Sequence, residues 1–282
     1  MTSRFYIMIF FCWVGCTVHS QSFEDQFSSK LGVSIGTLYY YGDLTQNYPV
    51  ISESQLAFSV FYNYALTQKM LLEVEFAYGN IRAFDNNNDP SSTIYTRNLH
   101  FRSSISEISF KAYFDILNLL LQSERGNFSS YFFIGIASFS HNPEAFYEGQ
   151  WYELQPLGTE GQGLEQYPER EKYALRNISI PVGLKFSARL SNRFDIGLRI
   201  GLNKTFTDYL DDVSMPLADN AIILAEAGPI ARAFADRYID SAGNLNPQSE
   251  GTNRGNPNNN DWYGSVNISL SYKFQGKRIA RN

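Results

Sequence analysis

Glu73 and Glu75 stand two apart in the extended stretch Met70–Tyr78, a spacing that puts both carboxylates on one face of a strand. A carboxylate pair can divide acid and base roles, but that chemistry also needs a substrate pocket and a third group, and neither is offered nearby. The run Asp85-Asn86-Asn87-Asn88-Asp89 suggests a calcium loop. It fails the pattern, because Pro90 stands where the turn needs Gly and Thr96 where a bidentate Glu belongs, so a solvated loop is expected. Asp208, Asp211 and Asp212 would suit a cation, with a solvated strand end as the plainer expectation. His100 and His141 lack a serine and acid constellation and read as loop or rim residues. Gly158, Gly161 and Gly163 are followed by no Lys-Ser or Lys-Thr and sit in no strand-to-helix frame, so they make no phosphate loop. These residues together predict a protein that is not an enzyme and carries no cofactor or metal.

The carboxylates make better sense once the elements that carry them are laid out. Ile178–Leu202 alternates strictly, with Ile178, Ile180, Val182, Leu184, Phe186 and Ala188 on one face and small or cationic residues opposite. After a turn at Ser191-Asn192-Arg193, Ile196, Leu198, Ile200 and Leu202 continue the apolar face. A hairpin with lipid on one side and a wet lumen on the other fits this pattern; a soluble sandwich hairpin is the alternative. The same alternation marks strands in 31–41, 56–65, 70–78, 107–114, 132–137 and 265–274. On that reading Glu73 and Glu75 face the lumen and pair with Lys185, Arg189 or Arg199.

Eight strands joined by alternating long and short connections predict an all-β fold, an eight-stranded antiparallel transmembrane β-barrel with long extracellular loops, one of them part-helical. The longest excursions are 141–176 and 215–261. Both termini then lie in the periplasm. Composition agrees: 282 residues, 44% hydrophobic and 16% aromatic, with net charge -5, which offers no dense basic patch for nucleic acid. Residues 1–20 read as a signal peptide and 21–282 as the barrel domain, exported to the bacterial outer membrane. Trp13-Val14-Gly15-Cys16 is a second reading of the same stretch, as a lipidation box with Trp13 where an aliphatic residue belongs. Cys12 and Cys16 are the only cysteines, so the mature chain has no disulfide framework.

The stretch Tyr152–Gly163, reading YELQPLGTEGQG, together with Tyr41-Gly42-Asp43-Leu44, Thr207–Val213 and Asp261-Trp262-Tyr263, resembles the PorG-like outer-membrane proteins of the type IX secretion system in Bacteroidetes. The resemblance implies a non-enzymatic barrel component of protein transport that associates with a periplasmic, lipoprotein-containing ring. Candidate partner contacts are Glu153, Pro156, Leu157, Gly158, Glu160, Gly161 and Gly163, where Pro and Gly would fix turns and allow close backbone approach. A second candidate is the basic tail with Lys277, Arg278 and Arg281, which would dock on an acidic partner surface. The alternatives are a generic structural or adhesive barrel, and a lipid-modifying outer-membrane enzyme.

Overall fold

Period-two alternation along each strand becomes an inside and an outside. The computed structural model describes residues 29–45, 51–67, 69–117 and 127–274. Among the described residues nine strands form: β1 (Ser29–Tyr41), β2 (Gln55–Ala65), β3 (Met70–Phe84), β4 (His100–Asp115), β5 (Phe128–Tyr147), β6 (Gln150–Glu153), β7 (Arg176–Arg189), β8 (Phe194–Thr205) and β9 (Trp262–Phe274). Neighbours pair antiparallel in the order β4-β3-β2-β1-β9-β8-β7-β5, and β4 pairs with β5 to close the ring. Eight strands therefore make a barrel without edges, so each of those eight has a partner on both sides, while β6 pairs only with β5.

Outward positions carry the apolar belt. Leu31, Val33 and Ile35 on β1, Phe58 and Val60 on β2, and Leu198, Ile200 and Leu202 on β8 are all exposed, far more apolar surface than a soluble protein leaves uncovered. Aromatic side chains such as Tyr62, Tyr64, Tyr78 and Phe194 rim it, as an interfacial girdle does. The soluble sandwich reading has no place for this surface.

Inward positions stack in layers, which β3 shows in chain order. Leu71 joins an aromatic layer with Tyr113, Tyr131 and Phe133. Glu73 and Glu75 follow as a charged layer, then Ile81 and Ala83 enter a second apolar layer with Tyr40, Phe101, Phe139 and Tyr263. Asp85 comes last and is fully buried at the barrel mouth. Small residues accommodate large ones: a Cβ on Gly32 would run into the Phe61 ring.

Three expectations change. Strand β5 runs on through His141 to Tyr147 and folds back as the short ninth strand β6, so part of the expected 141–176 insertion is sheet. This also moves His141, which is strand and buried rather than loop or rim, and His100 likewise opens β4. The segment 85–99 is not a solvated loop, because it contains the helix α1 (Thr93–Arg97) and the buried Asp85–Arg97 ion pair. The 215–261 excursion carries α2 (Asn220–Glu226) and α3 (Gly228–Ala235), as the part-helical expectation required. The predicted signal peptide and the tail with Lys277, Arg278 and Arg281 lie outside the described residues.

The faces predict opposite responses to substitution. Leu198→Arg, on the lipid face, should cost about 2–4 kcal/mol of folding free energy near the bilayer midplane. Ser271→Ala, on the lumen face of β9, should cost much less. Urea titration of both variants in lipid vesicles checks this, and equal midpoints would contradict the face assignment.

Candidate functional site

Two buried polar sites follow from this stacking. The first fills the lumen. Glu73 accepts hydrogen bonds from Tyr113 at 2.8 Å, Asn63 at 3.0 Å and Arg199 at 3.0 Å, with Lys185 at 3.6 Å and Lys111 at 3.8 Å. Glu75 is held by Arg199, Lys111 and the Ser59 hydroxyl. Lys185 and Arg199 are thus partners as expected, and Lys111 joins them. Glu107, bonded by the Tyr263 hydroxyl at 2.5 Å, supplies a third buried carboxylate against the three cations. All of these groups are at most 8% exposed. A buried ion network of this kind is stable only while each member keeps its partners.

The second site closes the mouth, and its centre is the stretch singled out for its resemblance. Gln155–Leu157 forms a 3-10 turn, and Gly158, Gly161 and Gly163 all take positive φ, as their spacing implied. At Gly158 a Cβ would lie 2.6 Å from the Gln162 carbonyl oxygen, so the turn admits only glycine comfortably. The turn delivers Glu160, fully buried, to Arg254 at 2.5 Å and to the backbone N–H groups of Ser214 and Met215 at 3.0 Å each. Arg254 also donates to the carbonyls of Asp212 at 2.9 Å and Ala235 at 3.1 Å, tying the 205–214 segment to α3. Arg97 grips Asp85 through two nitrogens at 2.7 and 2.8 Å and donates to the Asp43 carbonyl at 2.9 Å. Ile223 of α2 and Ala231 of α3 pack together with Tyr167 and Ala218.

Of the candidate partner contacts, Glu153, Pro156 and Gly163 are exposed and Leu157 is half-buried against the cap. Gly158, Glu160 and Gly161 are buried among the chain's own groups, so they hold the cap and offer no surface to a partner. Arg97, Arg254 and Tyr40 are the members that sequence reasoning missed. Arg254 is a lone cation in an Asn- and Gly-rich stretch, and that isolation was its one local signal.

The aspartates of 205–214 are buried, not a solvated strand end. Asp208, Asp211 and Asp212 are 7%, 2% and 1% exposed. The Tyr40 hydroxyl donates to Asp211 at 2.5 Å and lies 3.3 Å from Asp261. Neither guanidinium nearby forms an ion pair with Asp208, Asp211 or Asp261, since Arg97 holds Asp85 while Arg254 holds Glu160 and Asp212. Among the described residues no group of three or more His, Cys, Asp or Glu side chains is arranged to hold a metal ion. The carboxyls respond by keeping their protons. Burial pushes Asp208 up to about 8, and Ser214, outside ordinary hydrogen-bond geometry, offsets this only in part. Burial pushes Asp212 up to about 7 despite Arg254, and raises Asp211 and Asp261 strongly, with neighbouring aspartates adding to the effect.

Each layer predicts a measurable response. Arg199→Met should cost about 3–5 kcal/mol, because it removes the one cation hydrogen-bonded to both buried carboxylates, and adding Glu75→Gln should recover part of the loss. Urea unfolding in vesicles reads both. At the mouth, the fold holds protons that the unfolded chain, with aspartates ionising near 4, releases. The stabilisation is full at acid pH and is lost as pH rises through about 7 for Asp212 and about 8 for Asp208. Protease cleavage within 243–260 of the membrane-embedded protein should therefore accelerate between pH 6 and pH 9 on the order of tenfold, as expected for loss of about a kcal/mol or more. Asp208→Asn should flatten that rise.

The architecture can be set beside known proteins. Ail, the attachment invasion locus protein of Yersinia pestis, is 9% identical, with 88% of this chain and 99% of that chain covered and a TM-score of 0.41. Neisserial surface protein A is 8% identical over 88% of this chain and 97% of its own, at 0.40. The outer membrane protein OprG from Pseudomonas aeruginosa is 8% identical over 89% and 97%, at 0.37. Similarity this low carries no functional argument, and the barrel rests on the chain's own strand pairing. No curated protein matches the sequence. Residues 4–224 match one sequence family, and the chain belongs to it: the domain of unknown function DUF6089.

Proposed function

We propose that this chain is a non-enzymatic outer-membrane component of the type IX protein secretion system of Bacteroidetes, associated with its lipoprotein-containing periplasmic ring. The observation that supports a scaffold rather than a conduit is the filled lumen. A cavity of about 40 Å³ lined by Glu75, Glu107, Lys111 and Arg199 has room for a few waters and far too little for a protein cargo. The rims and the cap remain as working surfaces. The resemblance of Tyr152–Gly163 and its companion segments supplies the system to which the scaffold belongs.

Orientation follows from loop length. Short turns join β2 to β3 and β7 to β8 at one end, while the long connections and the cap lie at the other. Outer-membrane barrels keep short turns in the periplasm, so the cap faces outward and the ring meets the short-turn rim. The basic tail with Lys277, Arg278 and Arg281 follows β9, which ends at that rim, and is the docking candidate there.

Affinity purification from native membranes, with partners identified by mass spectrometry, tests this. The ring proteins should be recovered with the full chain. Removal of 277–282 should reduce their recovery, most visibly at raised salt, while leaving the barrel inserted. Recovery of the barrel without ring proteins, together with normal secretion in a deletion strain, would return it to a structural or adhesive role.

A further inference from the structure

Beyond the apolar belt, the outward face of β3, β4 and β5 continues, flanked by the 51–53 turn beside Arg82 and by Trp151 of β6 beside Arg102. The cap packs on the opposite, inward side through Ala145, Leu154 and Phe234. Arg82 and Arg102 stand directly opposite each other in the β3–β4 register, both directed outward. Like charges in that position repel, and among the described residues a single carboxylate, Glu144, forms an ion pair with the two arginines. Arg102 pairs with Glu144 at 2.7 Å and lies over the Trp151 ring at 3.7 Å, which fixes its guanidinium plane. Arg82 forms no ion pair within 4.0 Å among the described residues; it donates to the Ser52 carbonyl at 3.1 Å, its buried Nε has no hydrogen-bond partner, and the Glu53 carboxylate feels its charge from a greater distance. Glu153, the other carboxylate on this face, accepts from Asn142 at 2.9 Å. Farther out, Phe146 and Trp151 remain 42% and 38% exposed, well clear of the belt.

Height decides what could sit there. Arg82 lies four residues beyond Tyr78, the last belt aromatic on its strand. At about 3.3 Å per residue and a tilt of about 40°, that is roughly 10 Å along the membrane normal. A phospholipid headgroup layer extends only about 5–7 Å past the hydrocarbon, which leaves the arginine pair above phospholipid phosphates. A phosphorylated saccharide reaches farther and matches both chemistries present, phosphate for the guanidiniums and sugar ring faces for the exposed aromatics.

We infer that the Arg82–Arg102 face, with Trp151 as its aromatic shelf, binds the phosphorylated saccharide headgroup of an outer-leaflet glycolipid. This inference rests on the proposed outer-membrane location with the cap outward. Fluorescent lipopolysaccharide titrated onto the full-length barrel, folded in phosphatidylethanolamine–phosphatidylglycerol vesicles, tests it. The double variant Arg82→Gln/Arg102→Gln should bind at least tenfold more weakly, Trp151→Ala several-fold more weakly, and Lys204→Gln on the far side of the barrel like the unmodified protein. Dephosphorylated lipopolysaccharide should compete poorly. Wild-type affinity in the double variant, or equal competition by phosphatidylglycerol or the dephosphorylated form, would overturn the inference. Folding is read separately from gel mobility before and after heating. A folded barrel that ignores lipopolysaccharide refutes this inference alone, whereas failure to fold in any bilayer refutes the membrane reading beneath it.

Discussion

Backbone hydrogen bonding in hydrocarbon is the constraint from which the rest of this structure follows. A strand in lipid has no water for its N–H and C=O groups, so the sheet can persist only if its first and last strands meet. Here β1 pairs with β9 over its whole length, from Ser29 with Phe274 to Tyr41 with Trp262. Closure at eight strands then sets the interior width. A barrel this narrow is filled by side chains, and whichever residues point inward must satisfy one another without solvent.

The chain meets that demand differently at different heights. At mid-barrel Glu73 and Glu75 are matched by Lys111, Lys185 and Arg199, so charge is neutralised by charge, while Glu107 is bonded by the Tyr263 hydroxyl. At the mouth carboxylates outnumber the guanidiniums, because Arg97 and Arg254 are committed to Asp85, Glu160 and Asp212. There the remaining carboxyls are neutralised by protons, with Tyr40 bridging toward Asp211 and Asp261. Two apolar layers separate these regimes from each other and from the short-turn rim. The lumen is therefore sealed by packing as well as by ion pairing.

Those surfaces differ from one another. The belt is defined by lipid and is nearly uniform in composition. The cap is internally bonded, and Tyr152–Gly163, the most distinctive part of the sequence, is largely spent on holding it together. Glycines at positive φ and the buried Glu160 explain the peculiarity of YELQPLGTEGQG as folding chemistry. Distinctive sequence thus marks a structural hub here, and of its candidate contact residues Glu153, Pro156 and Gly163 stay exposed.

Alternation alone determined the strands, their two faces and the inward aim of Glu73 and Glu75, because a period of two is a local property readable from neighbours in sequence. The spacing of Gly158, Gly161 and Gly163 likewise announced tight turns. Local patterns could not reveal that Asp85 pairs with Arg97, that Arg254 reaches back across 94 positions to Glu160, or that Asp211 and Asp261 meet at the Tyr40 hydroxyl with Asp208 close enough to be felt. Polar loop residues look alike in sequence whether they end in water or in a buried cluster. Their surroundings come from segments far apart in the chain, and only closure of the barrel brings those segments to one mouth, where burial decides which carboxyls keep their protons.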